Sequence, residues 1–425
     1  MSTSPYSRIL KNVFGAGATR VVSLALSLGS VPLLLHLLGK EQYGTWVTLT
    51  SVLTWVSLFD FGVGNSLRNT AAGLGVDKTA DDVFAETFGL FKFVMLIAVS
   101  GVLVFLLMGP SYRLMSDHWY AVCLLYPVYL LFFPFTLGAN VLQGLGKVAL
   151  QSAVQALPGI LFVLALGVLY LLSAQPSLTL LAFLFASPFA VVSLYLFGTA
   201  LRRVDGQGLR ASLYWLRAPI PLDRVRMGLK FLTIQVSGLV LYNLGNLINY
   251  NMLGPAEVAR FDVINRAFQV ALSFYLIVIS VVWAEASRLI AAKALTELQQ
   301  LHKRLLLTAG AFATVVILFA FVAPFFIGLW TGKAVQVSTL EVLACATMVS
   351  VQAVAYAGGV FLNAFERVRL QAALAVLAAV LIIPVSRLLI GLGWGIAAVP
   401  SACALLMFLP MIIWNAHVHR LLKSF

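Results

Sequence analysis

The sequence predicts an all-α polytopic membrane protein, with about twelve transmembrane helices in two six-helix lobes around a central cavity. Three observations predict it. Sixty-one per cent of the 425 residues are hydrophobic and only 10% are charged, against about a quarter charged in soluble domains. Apolar stretches of about twenty residues, the length that crosses a bilayer core, recur along the whole chain. Lys and Arg collect in alternate connections between those stretches, the asymmetry that orients helices in a membrane.

In order, the spans are expected at 13–38, 43–67, 88–109, 119–142, 148–173 and 178–201, then at 228–253, 261–287, 305–330, 338–363, 368–390 and 393–416. The first follows Arg8 and Lys11. It is too long for a signal-peptide core and lacks a small-residue cleavage site, so it is expected to stay. It ends at Gly39-Lys40-Glu41-Gln42, and the second starts at Tyr43. Trp46, Trp119, Trp330 and Trp394 fall at one boundary, as an aromatic belt requires. The last two spans divide near Gly391 with almost no loop.

Residues 1–201 form the expected N-terminal lobe, 202–227 a basic cytoplasmic connector and 228–425 the C-terminal lobe. The connector carries Leu213-Tyr214-Trp215-Leu216, suited to a short interfacial helix. Only Lys40, Arg113, Arg260 and Lys333 fall in loops on the side opposite the N-terminus. Both termini are therefore expected in the cytoplasm. The same rule explains most of the net charge of +13, so nucleic acid is not an expected partner, whereas membrane lipid is. Leu38-Gly39 and Leu253-Gly254 each end a span before a short charged turn, a faint sign of duplication about an axis along the membrane normal. Cys123, Cys345 and Cys403 sit singly in apolar runs and read as buried free thiols, with no metal or disulfide expected.

Several spans carry charge, which costs about 3 kcal/mol or more in a bilayer and so usually faces a hydrated cavity. Asp60, Gly64 and Arg68 share a helical face, with Asn65 and Asn69 beside it. Asp262, Arg266, Gln269, Ser273 and Ser280 make a polar stripe through span eight. Gln235, Tyr242, Asn246 and Asn249 line one face of span seven, and Arg20 lies about two turns into span one. Arginine's planar, permanently charged fork suits phosphate. Bland readings stand beside these. Arg68, Lys92 and Arg288 lie near the cytoplasmic boundary, where they snorkel readily. Asp262 and Arg266, four apart, suit a structural ion pair. Gly62 and Gly64 suit close helix packing, and Glu41 and Tyr43 suit the outer turn.

The motifs Leu38-Gly39-x-Glu41-x-Tyr43-Gly44-x-Trp46 and Asp60-x-Gly62-x-Gly64-Asn65-x-Leu67-Arg68-Asn69 resemble the start of the polysaccharide transporter family. These are the Wzx-type flippases of the multidrug/oligosaccharidyl-lipid/polysaccharide (MOP) exporter superfamily. The resemblance implies alternating access around a cationic cavity, moving a polyprenyl-diphosphate-linked oligosaccharide (an O-antigen or exopolysaccharide repeat unit on undecaprenyl diphosphate) across a bacterial inner membrane. It also implies a polysaccharide polymerase and a chain-length regulator as partners. On this reading Arg20 and Arg266 attract the diphosphate, with Asp60, Asn65, Arg68, Asn246, Asn249 and Gln269 completing the substrate site. Asp60, Asp262 and Glu285 are the candidates for ion coupling. No P-loop is present in the sequence, so ATP is not expected as the direct energy source and no cofactor is expected. Two other classes stay open. An organic-cation exporter of the same superfamily would call for an acidic or aromatic cavity, and a membrane glycan polymerase or ligase for catalytic groups on a long outer loop.

Overall fold

The computed structural model describes residues 5–56, 63–75, 78–205, 218–291, 293–365 and 367–424. Among them, ten stretches are long and apolar enough to cross a membrane. The first, Val21–Val56, lies mostly within α1 (Pro5–Leu53), which is broken at Gly39 (φ 71°, ψ 174°) and so provides two passes. A further pass comes from α9 (Leu222–Asn243) and α10 (Gly245–Leu253). About twelve membrane helices result, and the chain is a multi-pass membrane protein. Leu107, Leu171 and Phe325 are each about four-fifths exposed, an apolar surface that suits lipid and not water.

Two compact units divide the chain. The first comprises Met1–Leu38 and Val52–Leu232, the second Gly39–Ser51 and Thr233–Phe425. The segment after the Gly39 break thus belongs with the C-terminal helices, although the sequence places it inside 1–201.

In the first unit, α2 (Val63–Ala72) packs on α6 (Leu137–Gly144) and α3 (Ala80–Met108), the short α4 (Arg113–Asp117) precedes α5 (Trp119–Phe132), and α8 (Leu178–Asp205) packs on α5 and α7 (Val148–Leu171). Leu67, Phe84, Leu90, Phe91, Leu137 and Leu142 are the buried centre. Gly138 lies against the Phe197 backbone and Gly144 against the Arg68 carbonyl, so small residues let these helices approach closely. A Thr79–Asp82 capping box starts α3. The expected span four is interrupted at Phe133–Thr136, where Pro134 removes a backbone donor. Lys92 donates to the Ala218 carbonyl at 2.9 Å; this contact holds the later part of the connector against α3. The candidate interfacial segment 213–216 lies outside the described residues.

In the second unit, α13 (Thr339–Ala364) and α15 (Ala398–Ser424) are the central pair, with 61% and 56% of their apolar windows buried. Around them pack α11 (Pro255–Ala291), α12 (Leu295–Trp330) and α14 (Arg369–Gly391), whose windows are only 22–24% buried and whose other faces are apolar and exposed. The sharp division expected near Gly391 is a turn through Gly393 and Gly395, both at positive φ. Cys345 and Cys403 are buried thiols, as expected, whereas Cys123 in the first unit is only partly buried.

Candidate functional site

Tyr43, Asp262 and Arg266 form one hydrogen-bonded constellation in the second unit. Gly39 turns the chain in a left-handed conformation that a side chain disfavours, and helix resumes at once. Gly254 (φ 94°, ψ 169°) makes a closely similar turn before α11, where Pro255 suits the first helical position. Gly44 packs directly on the Pro255 carbonyl with no room for a side chain, which brings Tyr43 beside the first turns of α11. The Tyr43 hydroxyl donates to Asp262 Oδ2 at 2.7 Å. Arg266 donates to the same oxygen through Nε at 3.2 Å and Nη2 at 3.0 Å. The structural ion pair foreseen at this i,i+4 spacing is thus formed, with a third member from 219 residues away.

Exposure grades along the constellation. Tyr43 is fully buried, the Asp262 side chain is 9% exposed and that of Arg266 28%. A buried carboxylate needs partners, and Asp262 has two. The arginine is the end that meets the surroundings.

Further along α11, Gln269 reaches Asn265 at 3.5 Å, a weak bond, and the Ser273 hydroxyl returns to the Gln269 carbonyl at 2.8 Å. Facing α11 is the short α10. Its Asn249 is fully buried, yet among the described residues neither amide atom has a partner, and Asn246 Oδ1 and the nearby Tyr242 hydroxyl are likewise unpartnered. Unsatisfied buried groups are rare, and these three are consecutive on one polar face. The helix break that sets their angle falls at Leu244, where Gly245 meets the Phe261 ring.

Arg20 lies on α1 and Asn65 on α2, but their side chains, like all of Asp60, are outside the described residues. Arg68 is exposed on α2 in the first unit. Glu285 is half-buried on α11, about 24 Å along the axis from Gln269. Of the helix expected to carry Asp60, Gly64 and Arg68 on one face, the described residues give α2 from Val63 and, before it, α1 to Leu53 followed by a 3-10 turn at 54–56. Approaching that end, Thr45, Thr48, Thr50 and Ser51 all bond back to carbonyls of the preceding turn, a pattern that loosens and bends helices.

Two polar groups escaped the sequence reading. Tyr43 was legible only as a turn residue, because its partner is remote in sequence. Glu86 accepts from the Ser66 hydroxyl at 2.7 Å and the Thr70 hydroxyl at 2.6 Å. It was overlooked because apolarity alone starts span three at 88, whereas α3 begins at Ala80.

No family model matches the chain. A Salmonella typhi protein named for O-antigen transport is 34% identical over 88 residues, covering 21% of this chain and 20% of that relative. The chain thus matches about a fifth of that curated relative's length. An inward-facing multidrug resistance MATE family transporter of the MOP superfamily superposes with a TM-score of 0.72 at 13% identity, covering 95% of both chains. The lipid II flippase MurJ, in an inward closed conformation, superposes at 0.71 with 11% identity, covering 95% of this chain and 87% of MurJ. At such identities the likeness is one of fold, and the fold is that of MOP transporters.

Proposed function

We propose that this chain is a Wzx-type flippase, a transporter and not an enzyme, which moves a polyprenyl-diphosphate-linked oligosaccharide across the bacterial inner membrane by alternating access. What carries the reading is the conjunction of a MOP fold over nearly the whole chain with a segment shared with a protein named for O-antigen transport. The site supports it in two ways. Arg266 offers a permanently charged fork at the partly exposed end of a buried network, suited to a diphosphate. Asn246, Asn249 and Gln269 offer amides suited to sugar hydroxyls, and the two asparagines hold polar atoms with no protein partner. Arg20, Arg68, Asp60 and Asn65 are further proposed substrate-binding residues. Asp60, Asp262 and Glu285 are the proposed coupling carboxylates, and a glycan polymerase with its chain-length regulator is the proposed pathway company. Both termini lie on the cytoplasmic side in this proposal.

Complementation of a flippase-deleted bacterium tests it. Wild type should restore surface polysaccharide, and Arg20→Ala and Arg266→Ala should fail at normal membrane abundance. Restoration by all three would remove both arginines from the site, and failure of abundant wild type across several glycan pathways would contradict the substrate class.

A further inference from the structure

The three-membered network carries an inference that rests on, and deepens, the diphosphate reading. We infer that Tyr43 is a positioning residue for an anion site at Arg266, because its hydroxyl supports Asp262 while the arginine turns from that carboxylate to a diphosphate group.

The geometry that leads there is the sharing of one oxygen. Asp262 Oδ2 accepts from Tyr43 at 2.7 Å and from Arg266 at 3.0 and 3.2 Å. A diphosphate that takes the Nε–Nη2 edge of the Arg266 fork competes with Asp262 for those two donors. If the arginine leaves, Asp262 remains in a site where its side chain is 9% exposed, and an unpaired buried carboxylate is among the costliest groups a protein can hold. Tyr43 removes much of that cost. Its bond is short, is assisted by the carboxylate's charge, and comes from a fully buried ring, whereas Arg266 is the partly exposed partner. The hydroxyl therefore keeps its partner in either position of Arg266. Its placement is set by backbone: the Gly39 break lies four residues before it, and Gly44 next to it is seated on the Pro255 carbonyl. A tyrosine needed only to fill space at the turn would do as well without its hydroxyl.

The exchange predicts effects of opposite sign at two residues of one network. Removing the Asp262 charge weakens its hold on the Arg266 Nε and Nη2 donors and should tighten anion binding. Removing the Tyr43 hydroxyl makes Asp262 depend on Arg266 alone and should weaken it. A hydrogen bond to a charged group is worth enough to change affinity about tenfold or more.

The test is equilibrium binding to the purified full-length protein in detergent, with farnesyl diphosphate and inorganic pyrophosphate as separate probes. Arg266→Gln should weaken binding more than tenfold, Asp262→Asn should tighten it about tenfold, and Tyr43→Phe should weaken it about tenfold. In the Asp262→Asn background, Tyr43→Phe should have no further effect, since an amide carries no charge to support. Melting temperatures of the same samples verify folding, and Tyr43→Trp provides a second replacement that fills the site without a phenol. Equal affinity for the two probes would assign recognition to the diphosphate group itself, and preference for farnesyl diphosphate would add an apolar contact; both support the site. Wild-type affinity in Tyr43→Phe, or an equal loss in the Asp262→Asn background, would overturn the role of Tyr43 while leaving the arginine in place. Wild-type affinity in Arg266→Gln would overturn the anion site itself.

Discussion

Replacing Asn249 with Ala should make this protein more stable and a poorer transporter. Both polar atoms of the Asn249 amide are buried without a protein partner, and each such atom costs about 1–3 kcal/mol. Taking the low end for each, truncation recovers about 2 kcal/mol. The space vacated is about 30 Å³, which at about 24 cal/mol per Å³ costs about 0.7 kcal/mol if nothing relaxes. The net gain is about 1 kcal/mol, which raises the melting temperature by about 2–4 °C in a unit of roughly two hundred residues. Truncating a buried side chain that was satisfied would have the opposite sign. Thermal unfolding in detergent, with wild type and Asn249→Ala measured side by side, reads the stability, and polysaccharide export in a complemented strain reads the function. A melting temperature lowered by more than about 2 °C, the smallest shift expected in the other direction, or normal export from the variant, would refute the reasoning that this amide is held for a polar ligand.

Three other changes test the structural argument. Gly44→Ala puts a methyl group into the Pro255 carbonyl. Overpacking and the stretched Tyr43–Asp262 bond should together cost about 2–5 kcal/mol, and an unshifted melting curve would show that the two turns do not meet as described. Glu86→Gln replaces a carboxylate that accepts from Ser66 and Thr70, and the loss of charge assistance should destabilise the first unit by about 1–3 kcal/mol, again read by thermal melting. Arg260→Gln removes ion pairs with Glu257 and Glu341. Their partial exposure and screening should limit the loss to less than about 1 kcal/mol at physiological salt, so a larger fall would mean that the pairs are shielded from solvent.

Apolar composition was sufficient to place most helices, because in lipid every backbone group must be satisfied within a helix and length is set by the bilayer. It located the division at Gly391 and the turns at Gly39 and Gly254, where glycine supplies a positive φ. It did not locate the interruptions at Phe133–Thr136 and Leu244: the first lies inside an apolar run and leaves hydropathy unchanged, and at the second Asn243, Asn246 and Asn249 recur at a spacing that a continuous helix also allows. The Asp262–Arg266 pair was legible from its spacing alone. Tyr43 was visible as part of a motif, but its bond to Asp262 joins two turns that only the folded chain brings together. Glu86 was hidden for another reason: α3 extends two turns beyond its apolar core, so its carboxylate sits on the helix and finds its hydroxyl partners on α2. The membership of Gly39–Ser51 in the second unit is likewise a matter of packing, which no local pattern records.

The most direct test of lipid-linked glycan flipping is reconstitution of the purified protein into liposomes carrying a fluorescent polyprenyl-diphosphate oligosaccharide. An impermeant glycosidase added outside then reports which leaflet holds the sugar. Protein-dependent access to the inner-leaflet pool, lost in Arg266→Gln, is the predicted result. Access no faster than in empty liposomes, from a preparation that moves an organic cation instead, would contradict it.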